Sequence, residues 1–84
     1  MARPCTVNGK RNLIAERLIA LRREAGWSQR ELAGRLQLLG MDMDKNVITR
    51  IETNKRYVTD IELCALANVF RISLDELLRT PSAE

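Results

Sequence analysis

Apolar residues recur at helical spacing along most of the chain. Between Lys10 and Ala25, Ile14, Leu18, Leu21 and Ala25 fall on one face with Leu13 and Ala20 beside them, which predicts a first amphipathic helix over about 10–25. Gly26 follows, the residue most easily placed in the left-handed conformation that ends a helix. Ser28 and Glu31 then have the spacing of a capping box, and Trp27 and Leu32, flanking it, have the spacing of a hydrophobic staple. These predict a second helix, with Leu32, Ala33, Leu36 and Leu39 continuing its buried stripe.

Leu39 to Asp44 reads as a loop, because Gly40 stops the helix and Asp42 and Asp44 are candidate N-caps for the next one. A third helix is expected from about Lys45 to Thr53, with Val47, Ile48 and Ile51 turned inward and Lys45, Asn46, Thr49 and Arg50 outward. Asn54 is a good left-handed terminator for it. The capping-box spacing then appears twice more, at Thr59/Glu62 and at Ser73/Glu76. The fourth helix so predicted buries Leu63, Leu66, Ala67 and Phe70, and a short fifth carries Leu77 and Leu78.

Composition narrows the fold. With 84 residues, of which 45% are hydrophobic and 30% charged, one domain with a single core is expected. We divide the chain into an N-terminal arm over 1–9, the domain over 10–79 and a frayed tail over 80–84. One Trp, one Tyr and one Phe leave the core to Leu, Ile, Val and Ala, a mix that favours packed helices over a sandwich. The expected fold class is all-α, a compact bundle of five short helices.

The formal net charge of +3 is unevenly placed. Arg3, Lys10, Arg11, Arg17, Arg22 and Arg23 oppose Glu16 alone in the first part of the chain, which attracts phosphate. Asp60, Glu62, Asp75, Glu76 and Glu84 outweigh Arg71 and Arg79 in the last part, which repels it. The sequence has two cysteines and no histidine, so neither a zinc site nor a disulfide framework is expected, and the chain reads as cytoplasmic. Cys64 falls within the apolar pattern of the fourth helix and is expected in the core. Neither a membrane-spanning run nor the apolar stretch of a secretion signal is expected.

Two short helices joined by a tight connection, the second with a polar outer face, form the arrangement that lets a helix enter the major groove of duplex DNA. The outward residues suit that task. Arg50 can pair with guanine, Asn46 with adenine, Thr49 can touch a thymine methyl, and Lys45 can reach a base edge or a phosphate. Without histidine, a glycine-rich phosphate loop or an acidic cluster beyond Asp42 and Asp44, an enzyme is not expected, nor are a cofactor or a small-molecule ligand.

The order of these features resembles the Xre family of helix-turn-helix proteins, to which the phage lambda and Cro-type repressors belong. Leu21-Arg22-Arg23-Glu24-Ala25-Gly26-Trp27-Ser28-Gln29-Arg30-Glu31-Leu32-Ala33 is similar to the family's opening, and Val47-Ile48-Thr49-Arg50-Ile51-Glu52 to its recognition-helix ending. Thr53-Asn54-Lys55-Arg56 resembles the loop that follows, and Ala67 through Leu78 the C-terminal helices. The resemblance implies a lambda-repressor-like DNA-binding domain acting as a transcriptional regulator. It implies base contacts by Lys45, Asn46, Thr49 and Arg50, and phosphate contacts by Ser28, Gln29, Lys55 and Arg56. It also implies a structural ion pair between Arg22 and Glu52, which would fix one helix against another.

The chain departs from the family pattern in three places. The connection from Ala33 to Glu52 is about five residues longer than usual, the excess falling around Gln37 to Met43. Asp42 and Asp44 stand where a small uncharged residue is commoner, and Arg71 stands where the family has Gly. One such domain contacts few bases, so a homodimer on the operator is expected, with Leu74 and Leu78 as its seam. The alternative is a protein-interaction or antitoxin-like module of the same fold, in which Asp42 and Asp44 are contact residues.

Overall fold

The structure, a computed structural model, describes residues 9–79. The arm over 1–9 (but for Gly9) and the tail over 80–84 lie outside the described residues. The elements are five α-helices: α1 (Ala15–Ala25), α2 (Gln29–Leu38), α3 (Lys45–Glu52), α4 (Asp60–Phe70) and α5 (Leu74–Leu78). No strand occurs among the described residues.

The helix ends explain why the chain breaks where it does. Capping boxes open α2 at Ser28/Glu31, α4 at Thr59/Glu62 and α5 at Ser73/Glu76. At the other ends, α1 to α4 share one stop. One residue past α1 and α4 (Gly26, Arg71), and two residues past α2 and α3 (Gly40, Asn54), the backbone adopts positive φ. The amide after that residue bonds five residues back, as Trp27 to Arg22, Met41 to Leu36, Lys55 to Arg50 and Ile72 to Ala67. This is the Schellman arrangement, which satisfies carbonyls that the helix leaves orphaned.

Every helix supplies the core. Ile14, Leu18 and Leu21 from the α1 region meet Leu32 and Leu36 of α2, Ile48 and Ile51 of α3, Leu66 of α4 and Leu77 of α5. Trp27, beside this cluster, stacks on Phe70 with centroids 5.3 Å apart, and the Arg35 guanidinium lies 4.0 Å above the indole. α3 packs on both α1 and α2, so the buried side of α3 is fixed from two directions.

The structure corrects several expectations. α1 begins at Ala15 instead of Lys10, because Asn12 is buried and its side chain is committed to the loop after α3. Leu39 is not part of the α2 stripe; it caps the helix and is 46% exposed. Its place in the core is taken by Met43, 1% exposed, which reaches in from the long turn. The Gln37 amide donates to the Met43 carbonyl at 3.0 Å and pins that turn. Cys64 is exposed, since it shares the outer stripe of α4 with Ile61 and Asn68 while Leu66 and Ala67 point inward.

Candidate nucleic-acid interface

α3 follows from its cap. Asp44 Oδ1 accepts the Val47 amide at 3.0 Å, so this carboxylate is a helix N-cap, while Asp42 is exposed in the turn. Ile48, Ile51 and Glu52 are buried on the inner side of the helix and Val47 is half-buried. Lys45, Asn46 and Arg50 are exposed and Thr49 is half-buried, so these four residues share the opposite, polar side.

Beneath that side lies a connected set of polar groups. Arg22 of α1 donates from Nε to Glu52 Oε2 at 2.7 Å and from Nη2 to Oε1 at 3.2 Å, and its Nη1 donates to the Trp27 carbonyl at 3.0 Å. Both side chains are nearly closed off, at 14% and 5% exposure. Glu52 Oε1 also accepts from Gln29 Nε2 at 2.8 Å, and Gln29 Oε1 in turn accepts the Thr49 hydroxyl at 3.0 Å. Helices α1, α2 and α3 are therefore joined by one chain of bonds.

The residues expected at phosphates divide. Ser28 Oγ accepts the Glu31 amide at 3.0 Å, and its hydroxyl stands at the positive end of α2. Gln29, half-buried, spends its carbonyl and one N–H on Thr49 and Glu52, which leaves its second N–H. Lys55 is exposed just beyond α3. Arg56 has partners within the protein. Its Nη1 and Nη2 donate to the two oxygens of Glu62 at 2.8 and 3.0 Å, and Nη1 also reaches the Tyr57 carbonyl at 3.2 Å. Glu62 is itself the N3 residue of the α4 capping box, with Oε1 accepting the Thr59 amide at 3.0 Å. Hydrogen bonds from Arg56 hold the Glu62 carboxyl below the ordinary glutamate range, against burial that raises it, and the Thr59 amide adds to the lowering. The same contact raises Arg56.

Asn12 was not among the expected site residues, yet it fastens the loop beyond α3. Its Nδ2 donates to the Ile51 and Arg56 carbonyls at 3.1 and 2.9 Å, its Oδ1 accepts the Ile14 amide at 3.1 Å, and its own amide donates to Asn54 Oδ1 at 3.3 Å. The local signal was an Asn two residues before the first buried apolar position, the spacing of an Asx-turn. The long-range half of this knot has no local signature.

No helix among the described residues is long and apolar enough to cross a membrane. The family model described as "Helix-turn-helix" matches residues 18–77, which takes in all of α2 to α4, most of α1 and all of α5 but its last residue. No curated protein and no solved structure matches the chain. With more than half of its length covered, and with α2 and α3 arranged as described above, the chain belongs to the Cro/C1-type helix-turn-helix family of DNA-binding domains.

Proposed function

We propose that the protein is a repressor-like transcriptional regulator that recognises a specific duplex sequence with α3 in the major groove. The observation that carries this reading is the division of α3. Ile48, Ile51 and Glu52 hold its inner side to α1 and α2, while Lys45, Asn46, Thr49 and Arg50 stand together on the outer one. Arg50 and Asn46 can each make paired hydrogen bonds to a purine edge, and Lys45 offers a mobile cation to a base or a neighbouring phosphate. A helix held from two sides carries those groups as a rigid body, so little ordering entropy is lost on binding.

Ser28, the remaining N–H of Gln29 and Lys55 are the phosphate contacts in this reading, aided by the positive end of α2. Arg56 serves mainly as the clamp on Glu62 and the α3–α4 loop. The protein acts as a homodimer on a two-fold operator, because one recognition helix reads too few base pairs to select a site in a genome. Leu74 and Leu78 are 41% and 37% exposed and are the proposed seam. Asp44 is accounted for by its capping bond, so it lends no support to an antitoxin-like role.

Selection of bound sequences from a random duplex pool tests the proposal. Enrichment of a motif with two-fold symmetry supports it, and recovery of the pool unchanged contradicts it.

A further inference from the structure

The half-buried hydroxyl of Thr49 has two partners in the protein, Gln29 Oε1 and the Lys45 carbonyl, each at 3.0 Å. Both are carbonyl oxygens, which accept and cannot donate. The single hydroxyl proton is therefore turned inward, whichever of the two it serves. What remains for anything approaching from outside is an oxygen lone pair.

The direction of the Gln29 amide is not a free choice. Its Nε2 lies 2.8 Å from Glu52 Oε1, and a flipped amide would set a carbonyl oxygen against that carboxylate. Glu52 can only accept, being an ion pair partner of Arg22. The Arg22–Glu52 pair thus fixes which end of the amide faces Thr49, and so fixes the polarity of a side chain on the outer face of α3.

We infer that Thr49 reads DNA as a hydrogen-bond acceptor only, with Gln29 as the positioning residue that sets this polarity, so that the base it meets is an amino base, cytosine or adenine, and not a keto base. In the major groove the donors are the N4 amino group of cytosine and the N6 amino group of adenine, whereas guanine and thymine offer acceptors there. A lone pair facing guanine O6 or thymine O4 gains no hydrogen bond and leaves both groups desolvated without a partner. The inference rests on α3 lying in the major groove as proposed above.

The test is a competition assay on the selected operator with each base placed in turn at every position, for the wild type, Thr49→Val and Gln29→Met. The wild type should favour cytosine or adenine over guanine or thymine by about fivefold at one half-site position, the worth of one neutral hydrogen bond. Thr49→Val should abolish that preference there and leave the other positions as they were. Gln29→Met removes one of the two proton acceptors and should narrow the preference at the same position. If the wild type prefers thymine and Thr49→Val keeps that preference, the Thr49 methyl group does the reading; if Thr49→Val erases a preference for guanine or thymine, the hydroxyl donates. Either result overturns the inference and leaves the proposed function standing, as would Thr49→Val with no effect at any position. An unchanged preference in Gln29→Met overturns the positioning role of Gln29. A wild type with no sequence preference at all overturns the proposed function, and the inference with it.

Discussion

Arg22 and Glu52, 30 residues apart in sequence, meet through two hydrogen bonds of 2.7 and 3.2 Å that lock α1 to the last residue of α3. A pair this enclosed gives little net stability, because both ions surrender hydration. Removing one partner is different, since it strands the other. Glu52→Ala leaves the Arg22 guanidinium and the Gln29 amide without their acceptor and should cost about 3 kcal/mol. For a domain of this size that is a fall in Tm of roughly 10 °C or more. A melting temperature within a degree or two of wild type would show that the pair does not hold α3 in place.

Glu62 gives the stability a dependence on pH. Its folded-state carboxyl lies below the ordinary range, chiefly through the Arg56 hydrogen bonds. Stabilisation from this source is complete above the unfolded glutamate value of about 4.3 and is lost as pH falls through the lower folded value. Glu62→Gln should therefore melt below wild type at neutral pH, and the gap should close as the solution is acidified through that window. Parallel melting curves from roughly pH 3 to pH 7 would contradict the assignment.

Asp44 separates a capping role from a contact role. Asp44→Ala should destabilise the free protein by about 1 kcal/mol, because the Val47 amide loses its side-chain acceptor. Asp44→Asn or Asp44→Ser should restore most of that loss. Calorimetry on the three variants without any partner present reads this directly, and equal stability of all three with wild type would remove the cap from the description of α3.

Arg71 occupies the left-handed position that ends α4, with φ 57 and ψ 44. An L-residue with a Cβ is strained there by about 1–2 kcal/mol, part of which glycine returns as greater freedom of the unfolded chain. Arg71→Gly should raise stability by about 0.5–1 kcal/mol, visible as a higher denaturant midpoint with unchanged slope. A lower midpoint would mean that the arginine side chain makes good the backbone strain.

The parts of this fold that were legible in the sequence are those set by local chemistry. Ser28, Thr59 and Ser73 each stand three residues before a glutamate, and each opens a helix with both bonds of the box formed. Gly26 and Asn54 stop α1 and α3 for equally local reasons. The misplaced residues depend on what lies opposite them. Cys64 follows Leu63 in an apolar run, and only the packing of α4 through Leu66 and Ala67 turns it to the outside. Met43 looks like a loop residue until the long turn is seen to return it to the core. Arg56 looks like a free cation beside Lys55, and its partner lies on the next helix. On the polar side of α3 the residue types were legible, but the direction in which the Thr49 proton points depends on Gln29 of α2 and on the ion pair between Arg22 of α1 and Glu52.

Methylation interference on the selected duplex tests most directly whether the polar side of α3 lies in the major groove. Guanine N7 lies in that groove, and a methyl group there blocks an arginine that pairs with N7 and O6. Wild-type binding should be lost when the guanine opposite Arg50 is methylated, and Arg50→Ala, already weaker by about 1–3 kcal/mol, should lose no more at that base. Lys55→Ala should keep the wild-type interference pattern while binding all duplexes more weakly and with a flatter salt dependence. Wild-type binding that is indifferent to N7 methylation throughout the operator, or an Arg50→Ala variant with unaltered affinity and pattern, would contradict the placement of α3.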